Sequence, residues 1–328
     1  MAQKINIVKE TADTSAKASE INHDAVDMFA LSEEEYKKRL DAAKAKEKYE
    51  QQKKNIKNVI LYVVLTVIAV IYMIPVLVIL INSFKSNGYV SDRPFAFPDS
   101  TTFVGLENFK RGLIEIDFAH VFLRSFIITI MSVVLIILCT SMIAWFITRV
   151  RNRFTEGLYL LFAFSMIVPF QMVMYTLSYV ATKLGLNSPY TICVVYLGFG
   201  AGLSVFMFCG FCKSIPLEIE EAATVDGCNP LQMFFKIIFP ILKPTAITVA
   251  ILNAMWIWND YLLPELVLKK GCETIPIAIQ KSLQGSYGSK DMGALMAMLV
   301  LTIIPIIIFY IAGQKYIIKG VVAGAVKG

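Results

Sequence analysis

Six apolar stretches, each long enough to cross a hydrocarbon core as a helix of about 20 residues, leave this chain few folds to choose from. They run from Asn58 to Ser83, His120 to Thr148, Leu158 to Val180, Tyr190 to Cys212, Thr245 to Leu263 and Met292 to Gln314. Hydrophobic residues make up 56% of the sequence and the mean hydropathy is +0.62, with charge confined to the ends and connections. The solvent this composition fits is the bilayer, and the expectation is an all-α integral membrane protein with six transmembrane helices.

A polar segment, residues 1–57, precedes the first apolar stretch, so that stretch is expected to be retained as an anchor; a cleavable signal lies at the extreme N-terminus. Two units are expected: this tail and a six-span domain over 58–328. Lysine and arginine in the short connections are balanced between the two sides. The tail residues nearest the membrane, Lys44, Lys46, Lys48, Lys53, Lys54 and Lys57, tip the balance and put both termini in the cytoplasm. The tail has almost no apolar periodicity and cannot bury a core. Its second half is nonetheless expected to be helical: Ser32 and Glu35 form a capping box, Leu31 and Tyr36 a hydrophobic staple, and three acid-before-base pairs follow at i,i+4. That helix is either solvated or laid by its lysine-rich end on anionic headgroups or on a partner.

One cytoplasmic connection, 213–244, breaks the apolar pattern. It contains Glu221-Ala-Ala-Thr-Val-Asp-Gly227 and four prolines. Pro216 suits a helix start, Gly227 a left-handed helix end, and Asn229-Pro230 an N-cap followed by proline at the first helical position. The loop therefore reads as two short helices joined at a glycine, with Pro240 and Pro244 at the entry to the fifth span. Leu217, Glu221 and Thr224 share one face of the first helix, and Ala222 and Ala223 permit close approach. Two readings follow: a docking knob, or an amphipathic helix resting on the bilayer. Glu218, Glu220, Glu221 and Asp226 favour docking, because anionic leaflets repel acids.

Glu221-Ala222-Ala223, three residues, Gly227, nine residues, Ile237, one residue, then Phe239-Pro240 resembles the EAA loop of ABC-importer permeases, with Phe239 where leucine is usual. Further pieces of 58–328 resemble carbohydrate importers of the maltose type. They are Asn259-Asp260 with Pro264, Thr274-Ile-Pro-Ile, Gly285-Ser-Tyr-Gly288, Gly293-Ala-Leu-Met-Ala297, and the end from Gln314 to Gly328. The resemblance implies a type I importer permease fold, in which the loop forms coupling helices that insert into cytoplasmic ATPase subunits. It points to Glu221, Ala222, Ala223, Asp226, Gly227 and Pro240 for that contact. It also implies that the tail with Gln314, Lys319 and Lys327 reaches between the ATPases. The implied partners are a second, non-identical permease, two ATPases and an extracytoplasmic sugar-binding protein, with no nucleic acid. The long outer connection Pro264 to Asp291 either meets that binding protein or is simply solvated. The N-terminal tail departs from the family, whose members begin close to their first span.

Catalysis by the chain itself is not expected. It has no G-x-x-x-x-G-K-[ST] phosphate loop, and Gly285-Ser-Tyr-Gly-Ser-Lys290 has the wrong spacing. With only His23 and His120, no zinc helix or histidine-based triad can be assembled. ATP and Mg2+ belong to the partners, and no cofactor is expected in this chain. Cys209-Gly-Phe-Cys212 matches a redox or zinc pattern in form but lacks the βαβ setting and the further ligands, so apolar packing is the expected role, without a structural disulfide.

Polar residues inside spans are expensive and face cavities or neighbouring helices. Asn253, Trp256 and Asp260 fall at i, i+3 and i+7 on one face of the fifth span. Amide, carboxylate and aromatic ring suit a sugar, but the same residues also suit interhelical hydrogen bonding and packing. Gln171, after Pro169, draws attention because proline frees a carbonyl mid-span. Arg124 is expected to snorkel. Two other classes stand beside the importer reading: an ion-driven secondary transporter and a membrane scaffold worked by its tail. The first calls for intramembrane charge relays and repeated halves, the second for a docking or enzymatic domain in 1–57.

Overall fold

The computed structural model describes residues 33–284 and 290–325, with the backbone alone at 33–36, 39, 43 and 315–325. Among the described residues the regular structure is helical, apart from one isolated β-bridge between Lys85 and Phe103. They divide into two units meeting between Ile74 and Pro75.

The first unit is most of one helix, α1 (Glu33–Asn82). It runs without a break from the lysine-rich stretch into the apolar one, because no glycine or proline occurs between Glu33 and Ile74. The helix expected in the tail's second half is thus present, while its Ser32 cap lies outside the described residues.

The second unit holds α2 (Asn87–Asp92), α3 (Glu107–Glu115), α4 (Phe118–Arg149), α5 (Arg153–Ser165), α6 (Phe170–Lys183) and α7 (Ile192–Cys212). Then follow α8 (Leu217–Val225), α9 (Pro230–Met233), α10 (Phe239–Asn259), α11 (Leu262–Val267), α12 (Ile275–Leu283) and α13 (Met292–Ala325). Among the described residues five helices are long and apolar enough to cross a bilayer: α1, α4, α7, the run Pro230–Asn259 and α13.

The third apolar stretch corrects the expectation of a continuous helix. Leu158–Val180 lies in α5 and α6, which meet at 106°. Pro169 lacks the N–H a helix interior needs and disfavours helical geometry at Val168. It takes φ −64° and ψ 137°, an extended conformation from which α6 starts afresh. The fifth span begins before Thr245, and Pro240 and Pro244 at its entry leave the helical run unbroken. A π-turn, Phe234–Ile238, carries the chain from α9 into α10, with the Phe239 N–H donating to the Phe234 carbonyl. Pro240 then falls in the first turn of α10, where a missing N–H costs least, and Pro244 sits within the helix.

The core of this unit lies where α4, α7 and α10 meet, centred on Ile136, Tyr196, Val205, Phe208, Leu242 and Val249. Two glycines let α7 approach its neighbours. A Cβ on Gly200 would stand 2.6 Å from Ile136 Cδ1 and 2.8 Å from Asn253 Oδ1, and one on Gly202 would stand 2.9 Å from the Phe162 carbonyl. A second apolar cluster, including Ile116, Phe118, Trp258, Ile275 and Met298, joins the far ends of α4 and α10 to α12 and α13.

That end is braced by polar contacts. Arg111 Nε donates to Asp291 Oδ2 at 2.8 Å and Arg111 Nη2 to Asn108 Oδ1 at 2.5 Å. The fully buried Asn108 donates in turn to the carbonyls of Ser83 and Lys85.

Candidate coupling loop and intramembrane polar face

The loop 213–244 folds as its punctuation dictates. Pro216 stands just outside α8 as its N-cap, with φ −58° and ψ 140°, one position earlier than the first helical turn. The far end closes as a Schellman motif: the Gly227 N–H donates to the Thr224 carbonyl and the Cys228 N–H to the Ala223 carbonyl, both at 3.0 Å. Gly227 has φ 76°, a left-handed conformation that a side chain resists. Asn229 caps α9 as expected: its Oδ1 accepts from the Gln232 N–H at 2.8 Å, and Gln232 Oε1 accepts from the Asn229 N–H at 3.2 Å.

Glu221, Ala222, Thr224, Asp226 and Gly227 are exposed, as is Pro240. Ala223 differs from the expectation of an approach surface. It is buried in the main core, since its position on the 3.6-residue period turns it inward when Glu221 and Ala222 face out.

Glu220, counted in the sequence among the acids that favour docking, turns inward instead. It is buried and receives Arg149 Nε on Oε1 at 2.7 Å and Trp145 Nε1 on Oε2 at 3.1 Å. Arg149 also donates through Nη2 to the Ile215 carbonyl at 3.0 Å. Trp145 and Arg149 lie one turn apart at the end of α4, so a single helical face grips α8 at both carboxylate oxygens. The ring of Trp145 packs against Phe234 in the π-turn, with centroids 5.7 Å apart. A lone carboxylate so buried would be costly, and this one is both paired and hydrogen-bonded.

The three polar residues of the fifth span separate. Asn253 is buried, and its Nδ2 donates to Ser204 Oγ on α7 at 3.2 Å and to the Val249 carbonyl at 2.9 Å. Trp256 is exposed, with its ring edge-to-face on Tyr196 at 5.6 Å. Asp260 follows the end of α10; its Oδ2 accepts from Tyr196 Oη at 3.0 Å and its Oδ1 from the Leu262 N–H at 3.1 Å. Tyr196 thus joins Trp256 to Asp260, a link that no single-helix pattern reveals.

Gln171 is exposed in the first turn of α6, beside Phe170, whose ring meets Phe199 of α7. A cavity of about 560 Å³ opens beside Thr148, Arg151, Tyr159 and Lys213, and another of about 540 Å³ is apolar, between α5, α6 and α7. Neither is lined by Asn253, Trp256 or Asp260. Cys209 and Cys212 are both buried in the core.

Gln314 is exposed on α13, the backbone stays helical through Lys319, and Lys327 and the Gly285–Gly288 motif lie outside the described residues. The connection from Pro264 to Asp291 is partly helical, holding most of α11 and all of α12. Lys281 Nζ meets Glu273 Oε1 there at 2.9 Å.

A helical bundle with apolar spans, one of them broken, and an acid-bearing loop of two short helices defines a multi-pass membrane transport subunit. Residues 141–322 match the family described as binding-protein-dependent transport system inner membrane component, and the chain belongs to that family. It is 37% identical over 251 residues to the probable starch degradation products transport system permease protein AmyC of Thermoanaerobacterium thermosulfurigenes, covering 76% of this chain and 90% of that one. It is 36% identical over 257 residues to the multiple sugar-binding transport system permease protein MsmG of Streptococcus mutans, covering 77% and 91%. A solved bacterial ABC transporter that imports the acidic polysaccharide alginate has a chain of the same fold, with TM-score 0.66 and 25% identity over 80% of this chain and 96% of that one. Family membership displaces the ion-driven transporter and scaffold readings.

Proposed function

We propose that this chain is the permease subunit of an ATP-driven carbohydrate importer, supplying one wall of the pathway. A second, non-identical permease supplies the other wall, two cytoplasmic ATPases bind ATP and Mg2+, and an extracytoplasmic sugar-binding protein delivers the solute. The sugar-related names of AmyC and MsmG support the solute class. Both termini and the 213–244 loop face the cytoplasm. The observation that carries the reading is the exposed outer face of α8, where Glu221, Ala222 and Asp226 stand clear of the core beside the left-handed Gly227.

In this reading the outer face of α8 enters the ATPase, and closure of the ATPase pair drives the loop, with Pro240 at the root of the fifth span. Ala223 backs the helix from within. Gln314, Lys319 and Lys327 extend toward the ATPases. Gln171, Trp256 and Asp260 border the pathway, while the buried hydrogen bonds of Asn253 support an interhelical role for that residue. The chain holds no cofactor of its own and hydrolyses nothing.

The test replaces Glu221 with Ala and Gly227 with Val, singly, in membranes carrying the whole transporter at matched expression. ATPase co-purification and ATP-dependent uptake of labelled maltotriose, raffinose and trehalose are then measured. Loss of ATPase association or of coupled uptake is the expected result. Full association and uptake in both variants would reduce α8 to an interfacial helix and overturn the proposal.

A further inference from the structure

We propose that Glu220, Arg149 and Trp145 form a rigid joint that makes α8 and the adjoining end of α4 move as one body. The inference rests on the coupling role of the loop and assigns it a transmission path. By chain connectivity alone, a push on α8 reaches α7 through 213–216 and α10 through Gly227, α9 and the π-turn. Both routes contain flexible or irregular backbone: a proline at one end of α8, and a left-handed glycine followed by a π-turn at the other. The second span, α4, is not adjacent to α8 along the chain, since α5, α6 and α7 intervene.

What ties them is side-chain geometry. Arg149 and Glu220 pair at 2.7 Å with side-chain exposures of 16% and 11%, so solvent screens the pair little. The pair is held at three further points: the second carboxylate oxygen by Trp145, the guanidinium by the Ile215 carbonyl, and the Trp145 ring by Phe234. Glu220 is thus bound to α4 through both carboxylate oxygens, while Ile215 and Phe234 tie the same end of α4 to the segments that precede and follow α8. Ala223, one turn along from Glu220 on the inner face, joins the same core as Ala144 of α4, each contributing only a methyl group. Glu220 and Glu221 therefore divide the work: Glu221 faces the partner, and Glu220 fastens the helix that carries it.

The experiment uses the assembled transporter in nanodiscs. Spin labels are placed at Val225→Cys, at the exposed end of α8, and at Val150→Cys, next to Arg149. Cys139, Cys228 and Cys272, the partly exposed thiols, are changed to Ser. With Glu220 intact, the label-to-label distance is expected to be narrow and the same without nucleotide and with ATP bound to a hydrolysis-deficient ATPase. In Glu220→Ala the distribution is expected to broaden without nucleotide and to shift with ATP. Glu220→Gln keeps the side-chain volume and a hydrogen-bond acceptor but loses the charge, and is expected to fall between.

The functional signature is uncoupling. In Glu220→Gln the ATPase still co-purifies, while sugar taken up per ATP hydrolysed falls by about tenfold, the scale of an ordinary coupling energy. A wild-type distance that changes with ATP, or a nucleotide-free width unchanged in Glu220→Ala, overturns the joint. ATPase failing to co-purify with the wild-type chain refutes the coupling reading instead, and the nucleotide-free widths still decide the joint.

Discussion

At the scale of single residues, backbone and charge demands are local and can be tested one position at a time. Gly227 at φ 76° is one such position: Gly227→Ala places a side chain in left-handed geometry at a cost of about 1–2 kcal/mol. A lowered thermal midpoint of the purified protein is expected, with α8 first to lose amide protection. Asp99 is another. Its Oδ1 accepts from the N–H groups of Thr101 and Thr102 and from the Thr101 hydroxyl, and these bonds pull its carboxyl down to about 2. Because the folded-state value lies below the ordinary one, this turn is fully stabilised above about pH 4. It loses that contribution as pH falls toward 2. Hydrogen exchange at Thr101 and Thr102 should accelerate over that window, relative to the intrinsic rate, and Asp99→Asn should remove most of the pH dependence. Glycine and asparagine punctuation was legible in the sequence because each residue satisfies or strains its own few neighbours. The partner of Glu220 was not, since Arg149 stands 71 residues earlier.

At the scale of helices, close approach sets what can be changed. Gly200 faces Ile136 and Asn253 with no room for a methyl group, so Gly200→Val should force α7 from α4 and α10 at about 1–3 kcal/mol. A lower thermal midpoint and a smaller folded fraction in detergent would register it, whereas Gly198→Ala, with open space at its Cβ, should be near neutral. The helices also show where apolar pattern stops being informative. Leu158–Val180 has the hydropathy of a span but bends by 106°, because hydropathy counts side chains while Pro169 acts on the backbone. Pro240 and Pro244 carry the same chemistry without breaking the helical run, since a π-turn beforehand takes up the irregularity.

At the scale of the whole molecule, contacts between distant segments hold the second unit together at the end away from the 213–244 loop. Arg111 and Asp291 are 180 residues apart and meet at 2.8 Å, joining α3 to the start of α13. Arg111→Ala should lower stability by about 1–3 kcal/mol, less from the partly exposed pair with Asp291 than from leaving the buried Asn108 Oδ1 without its donor, and it should leave ATPase co-purification unchanged. Loss of that association would link this brace to the 213–244 loop, which its position does not predict. What the sequence by itself determined was the solvent, the helical class, the placement of most spans and the punctuation of the loop: apolar length, proline and glycine act over a turn or two of chain. Tertiary structure decided which acid faces out and which is fastened to α4, that Tyr196 joins Trp256 to Asp260, and that Asn253 binds Ser204. Those outcomes depend on the rotation of one helix against another, and that rotation is set by packing across a core whose members are tens of residues apart.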